Sequence, residues 1–163
     1  MSNSRTAFIA MTGACLMMAH QVAGKAVRDS FFLSNHPASD LPKAVIAAVI
    51  LSVILVFVFA RLMSRFGPSQ IVPAGFLISS ILHLTEYMHV YESPAPWSLV
   101  IYFHIVALGA ILLSGFWSLM TEAFDPRAAK QVFGRITGFG TLGGILGGIM
   151  AERVAKLFSA ESV

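Results

Sequence analysis

Charged residues and cysteine are both scarce in this chain of 163 residues. Only 12% of its residues are charged, whereas soluble domains carry roughly 25%, so the composition excludes an ordinary soluble domain. The single cysteine, Cys15, excludes an internal disulfide. The net charge of +3 is spread over short polar segments, and we therefore predict no nucleic-acid partner.

Apolar residues, by contrast, make up 56% of the chain, and the mean hydropathy is +0.77. A membrane-spanning helix needs roughly 17 to 25 mostly apolar residues, and the sequence offers five such segments. We predict an all-α, polytopic membrane helix bundle in a lipid bilayer. Residues 1–163 would form a single transmembrane domain with helices at about 7–33, 44–64, 69–88, 97–120 and 132–151.

The distribution of basic residues predicts the orientation of the spans. With a cytoplasmic N-terminus, the inner side carries Arg5, Arg61, Arg65, Arg127, Lys130 and Arg135. The opposite side carries Lys25, Arg28, Lys43, Arg153 and Lys156. Lys25 and Arg28 fall inside an apolar segment, and Arg153 and Lys156 follow the final span. If these four are not counted, Lys43 is the one basic residue left on the outer side. Cytoplasmic segments carry the excess of basic residues, so we expect a cytoplasmic N-terminus. Helical transporters are built from repeated bundles, so five spans also predict that further C-terminal helices belong to the same protein.

The charges of greatest functional interest lie in the first apolar segment. Gln21, Lys25, Arg28 and Asp29 recur at helical spacing and therefore share one face. Ionisable groups inside a membrane usually face a cavity or a partner, so we interpret this stripe as an anion site. Lys25 and Arg28 would bind the substrate and Asp29 would orient them. The alternative is a helix that ends near Gly24, with these side chains in water or at the membrane surface.

Glycine dominates the fifth apolar segment. Its spacing from Gly138 to Gly143 matches a dinucleotide-binding fingerprint, but no predicted strand precedes it and no acidic residue follows at the required distance. Small residues at intervals of four instead allow membrane helices to approach closely. We therefore predict helix packing through two stripes, Gly140, Gly144 and Gly148 in one and Gly143 and Gly147 in the other.

Histidines are distributed through the apolar segments. In our interpretation, the sequence separations of His20, His83, His89 and His104 from carboxylates and cysteines do not match those of metal ligands. We therefore predict neither a metal site nor a cofactor. His104 is either a buried hydrogen-bonding residue or a proton relay. We recognise no nucleophile with its base, no catalytic carboxylate pair and no phosphate-binding loop, so we do not expect an enzyme.

The segment from Thr121 to Arg135 is the most highly charged connection. Glu122, Arg127 and Lys130 would form ion pairs with other inner loops, and these pairs would change with conformation. A solvated connector that follows the positive-inside rule is an equal alternative.

Two stretches resemble the ATP/ADP translocases of plastids and intracellular bacteria, and their bacterial relatives, in the major facilitator superfamily. Residues 25–30, KAVRDS, are similar to the basic-x-x-Lys-Asp-Thr stretch of that family's first helix. The second stretch follows the order and spacing of the family's fourth-helix end and next loop, with Phe116, Trp117, Glu122, Ala129, Lys130 and Phe133. The chain departs from the family in having Arg28 in place of a lysine, and His104 and Ile105 in place of an acidic residue.

The resemblance implies the N-terminal portion of a major-facilitator-type fold in a bacterial inner membrane. Such a carrier binds an anionic substrate, with ATP and ADP as candidates, between two helix bundles that expose it alternately to each side. Arg28 would take the place of the substrate-handling lysine, and His104 would face the cavity. The alternative is a transport-inactive membrane anchor or interaction module of a larger protein, which the missing fourth-helix carboxylate favours.

Overall fold

A computed structural model describes residues 2–160, with side chains described for residues 4–156. Its five long helices are α1 (Ser2–Asn35), α2 (Leu41–Phe66), α3 (Pro68–His89), α4 (Pro94–Ala123) and α5 (Pro126–Ala160). A short 3-10 helix, Ala38–Asp40, precedes α2, and no strand occurs in residues 2–160. All five α-helices are long and apolar enough to cross a membrane, which confirms the all-α membrane class predicted from composition.

The connections are shorter than the sequence suggested. Gly67 alone separates α2 from α3, and its φ of +82° lies in the region that glycine adopts without strain. Its N–H donates to the Met63 carbonyl oxygen at 2.8 Å, closing the end of α2. Pro68 then begins α3, in a position where a missing N–H is no loss. The predicted connection between these helices was therefore too long, because one glycine is sufficient.

The charged segment between α4 and α5 is mostly helical. The prediction of a loop from Thr121 to Arg135 is wrong, since α4 continues to Ala123 and α5 begins at Pro126. The Asp125 carboxylate accepts hydrogen bonds from the N–H groups of Arg127 and Ala128, at 2.9 and 3.0 Å. These bonds cap the first turn of α5, and Pro126 starts it without losing a needed donor. The resulting α5 has 35 residues, or roughly 50 Å at the rise of an α-helix, so it exceeds the membrane core.

The chain divides into two compact units. The first contains α1 up to Val27 and the chain from Met120 onward, and the second contains Arg28–Leu119. In the first unit, α1 and α5 contact each other through their backbones. A Cβ atom added at Gly143 would lie 2.7 Å from the Cys15 Cα, and one at Gly147 would lie 2.8 Å from the Ala19 Cα. Only glycine permits so close an approach.

The second unit is arranged around α4. Its buried residues include Ile101, Tyr102, Ile105 and Ile111. The end of α1 is joined to this helix, because the Phe32 and Tyr102 rings lie 5.0 Å apart and Phe32 is 1% exposed. α2, in contrast, buries only two alanines and exposes large aliphatic side chains along its length, as a lipid-facing helix does. Within this unit α4 is the largely buried helix, and polar side chains of α3 contact it.

Candidate functional site

A buried polar cluster lies where α3 and α4 pack together. On α3, Ser79, His83 and Glu86 follow one another at helical intervals of four and three residues and therefore share one face. On α4, His104 projects into the same region, and it is buried together with Ser79 and Glu86. We refer to Ser79, His83, Glu86 and His104 as the buried polar cluster.

Glu86 is the centre of the cluster. One carboxylate oxygen lies 2.7 Å from Nδ1 of His104 and the other lies 2.9 Å from Nδ1 of His83. The Glu86 and His104 side chains are each 4% exposed, and that of His83 is 32% exposed. A buried carboxylate is costly unless its oxygens are satisfied, and here a different histidine serves each oxygen.

The hydroxyl of Ser79 completes the cluster on the far side of His104. Its Oγ lies 2.8 Å from Nε2 of His104. A hydroxyl both donates and accepts, so it can donate to a neutral imidazole or accept from an imidazolium. The arrangement can therefore hold His104 in either protonation state without moving a heavy atom.

The same side chains present a set of metal-ligating atoms. One ligand atom from each of His83, Glu86 and His104 lies within 4.8 Å of the other two. The expectation that no histidine stands at ligand spacing with a carboxylate was wrong. His83 and Glu86 are three residues apart on one helix, and the packing of α4 against α3 brings in His104, which is distant in sequence.

Arg28 and Asp29 form a separate feature in the same unit. The Arg28 Nε and one terminal nitrogen both lie 2.8 Å from one Asp29 carboxylate oxygen. The guanidinium carbon stands 4.9 Å from the centre of the Tyr102 ring, in the geometry of a cation–π contact. The Arg28 side chain is 16% exposed, so this cation is largely withdrawn from solvent. The contact between Asp29 and Arg28 is the one expected from the sequence, while their role in substrate binding stays a prediction.

The four residues predicted to bind substrate are distributed over different surroundings. Lys25 is exposed and belongs to the first unit, while Arg28, Asp29 and His104 belong to the second. Within that unit, Arg28 and Asp29 contact each other, whereas His104 contacts Ser79 and Glu86. We expected His104 to face a cavity. The structure instead places it in the buried polar cluster, where each of its ring nitrogens contacts another side chain.

The remaining predicted residues have simple environments. Glu122, Arg127 and Lys130 are exposed, and none forms an ion pair with another residue whose side chain is described. Their pairing with other loops stays a prediction. The glycine stripes of α5 face α1: Gly143 and Gly147 make the backbone contacts, and added Cβ atoms on the others would reach side chains of α1. These others are Gly140, Gly144 and Gly148.

No protein-family model, curated protein or solved structure matches this chain. The resemblance to nucleotide translocases therefore stays a prediction that rests on the quoted residues.

Sequence reasoning did not select Ser79, His83 and Glu86 as site residues. The signal was nevertheless present, because three polar side chains recur at helical spacing along one face of an otherwise apolar span. A charge in such a position is by default a candidate for function. What the sequence does not contain is the rotation of α4 that turns His104 toward them.

Proposed function

We propose that this chain is part of a membrane carrier for an anionic solute. The observation that supports it best is the buried polar cluster, in which two membrane-length helices share a carboxylate and two histidines. Burying ionisable groups inside a membrane protein is costly, and such groups mark substrate, ion or proton pathways.

The anionic character of the solute is supported by Arg28. Its guanidinium contacts Asp29 of the same helix and the Tyr102 ring of α4, and it is largely withdrawn from water. Arginine binds phosphate and carboxylate through its planar fork, and a cation already held in place loses little entropy on binding. Lys25 lies one helical turn earlier and would add a second positive charge. ATP and ADP are the specific candidates, through the family resemblance, and alternating access is the corresponding mechanism.

The test is uptake by the protein reconstituted in lipid vesicles, with labelled ATP, ADP and inorganic phosphate as separate substrates. We expect Arg28→Gln and Lys25→Gln to abolish uptake while the protein remains in the vesicle membrane. Lys43→Gln is the matched control, because Lys43 has an 80% exposed side chain near the start of α2. It should transport at the wild-type rate. Unchanged uptake by both test variants would reject the anion site.

A transport-inactive anchor is the second candidate, and one observation favours it. Two nitrogens of Arg28 already contact Asp29 and its planar face lies over Tyr102, as in a purely structural residue. An anchor predicts no saturable uptake of any anion and a loss of thermal stability in Arg28→Gln. A carrier predicts saturable uptake by the wild type that Arg28→Gln loses while its fold is retained.

A further inference from the structure

We propose that His83, Glu86 and His104 form a binding site for a divalent transition metal ion of the Zn²⁺ type. Two imidazole nitrogens and one carboxylate oxygen are a donor set that Zn²⁺ prefers. The three residues come from two helices, and their ligand atoms converge within 4.8 Å of one another. This inference does not depend on the proposed transport function, because it uses only the geometry of the cluster.

The two distances from Glu86 to the histidines are close to those between ligands of one ion, and the ligand atoms of His83 and His104 lie within 4.8 Å of each other. Zn²⁺ lies about 2.0–2.2 Å from nitrogen and carboxylate ligands, so neighbouring ligand atoms in a tetrahedral site stand roughly 3.3 Å apart. Glu86 lies 2.7 Å from the His104 nitrogen and 2.9 Å from the His83 nitrogen. An ion that replaced the protons of these hydrogen bonds would require each pair to separate by only about half an ångström.

The surroundings of His104 provide a second, independent observation. A histidine that binds a metal through one ring nitrogen commonly donates its other N–H to a neighbouring acceptor, which fixes the ring orientation. The Ser79 Oγ lies 2.8 Å from the His104 Nε2 and is placed to accept such a bond. Nδ1 of His104 then faces Glu86 as the ligating atom. Ser79 is buried, so water does not compete for this contact.

The charge and accessibility of the cluster also suit a divalent cation. Glu86 supplies one negative charge at a 4% exposed position, where an opposite charge would be strongly favoured. His83 is the most exposed member, at 32%, and provides the side from which an ion can enter. Three protein ligands leave a fourth coordination position for water or an anion.

The test is metal binding by the purified protein, produced with an affinity tag that contains no histidine. Zn²⁺ would be titrated in competition with a chromophoric chelator, and Co²⁺ would serve as a spectroscopic substitute. We expect a single saturable site per chain and a visible Co²⁺ absorption band typical of tetrahedral coordination. His83→Gln, Glu86→Gln and His104→Gln should each lose saturable binding. Ser79→Ala should retain the site with about 10- to 100-fold weaker affinity.

His89→Gln is the matched control, since His89 lies on α3 but its Nδ1 contacts the Thr85 carbonyl oxygen rather than the cluster. It should bind both ions as the wild type does. Thermal unfolding of each variant will identify those that do not fold. His83→Gln and Ser79→Ala are expected to fold, because His83 is partly exposed and the change at Ser79 is small, so their metal binding decides the test. The proposal is overturned if the wild type binds neither ion saturably, or if His83→Gln leaves the Co²⁺ spectrum unchanged. A second outcome would also reject the proposal: the protein binds no metal but takes up protons in a way that depends on His104. The cluster would then bind a proton instead of a metal ion.

Discussion

At the scale of single residues, Glu86 is the centre of the polar contacts between α3 and α4. Its two oxygens contact histidines on different helices, and the Ser79 hydroxyl extends the chain of contacts beyond His104. Because the side chain is 4% exposed, water does not replace a partner that is removed. Leaving a buried polar group without a partner costs its full desolvation penalty, so the stability of the cluster is sensitive to any change at its centre.

We predict that Glu86→Leu destabilises the protein by about 1–3 kcal/mol, because Nδ1 of the buried His104 is left without its partner. Glu86→Gln should be less destabilising, because an amide oxygen still accepts one hydrogen bond and the amide nitrogen can donate to the other ring. Thermal unfolding in a mild detergent measures both. Glu152→Gln is the control, since the Glu152 side chain is 60% exposed and pairs with the exposed Lys156. A similar loss of stability at both glutamates would contradict the assigned role of Glu86.

His104 illustrates a second point at the residue scale. The family that the sequence resembles has a carboxylate in its fourth helix, and this chain has His104 and Ile105 there. In the structure a carboxylate does reach α4 at this point, but Glu86 of α3 supplies it. The absence of an acidic residue from one helix is therefore poor support for an inactive anchor, because its neighbour can provide the same charge.

At the scale of elements, the contact between α1 and α5 depends on glycine. Gly143 and Gly147 lie one helical turn apart, and each faces the backbone of α1 at Cys15 and Ala19. Membrane helices gain no hydrophobic energy from leaving lipid, so close van der Waals packing must hold them together. A side chain at either glycine would contact backbone, which cannot rotate away as a side chain can.

We predict that Gly143→Ala destabilises the protein by about 1–3 kcal/mol, because the added methyl group overlaps the Cys15 backbone and forces the helices apart. Gly138→Ala is the matched control on the same helix, since nothing lies within 4 Å of its added Cβ. Alanine favours helix more than glycine does, so the control should be neutral or more stable by up to about 1 kcal/mol. Thermal unfolding distinguishes the two, and equal behaviour would show that the contact contributes little.

At the scale of the whole molecule, the arrangement of the helices in the membrane follows from their number and their charges. The residues flanking Gly67 include Arg61 and Arg65 near the end of α2. The link from α3 to α4, residues 90–93, contains no basic residue. If each helix crosses once, these two links lie on opposite sides of the membrane. From the positive-inside rule we predict that the first link, like the N-terminus, lies in the cytoplasm.

We predict opposite labelling of single cysteines introduced at Ser64 and Glu92, both exposed, in a Cys15→Ala background. A membrane-impermeant maleimide should label Glu92→Cys in intact cells, and it should label Ser64→Cys only after the membrane is permeabilised. The Cys15→Ala protein without a new cysteine gives the background signal. Labelling of Ser64→Cys in intact cells would reverse the proposed orientation.

The class of the protein and the number of its helices were determined by the sequence alone, because the length and apolarity of a span are properties of neighbouring residues. The contact between Arg28 and Asp29 was predictable for the same reason, since adjacent residues need no tertiary packing to meet. The first part of α5, residues 126–131, was missed, although Asp125 and Pro126 are recognisable start signals, because its charges were interpreted as those of a loop.

Only the tertiary structure decided which helices meet and which of their faces are turned toward each other. The stripe of glycines on α5 indicated close packing, but not that α1 is the partner. The contacts of Glu86 with His104 and of Arg28 with Tyr102 likewise join residues far apart in the sequence. Helical periodicity determines which side chains share a face, whereas the rotation of each helix about its axis depends on packing against its neighbours, and that packing created the buried polar cluster.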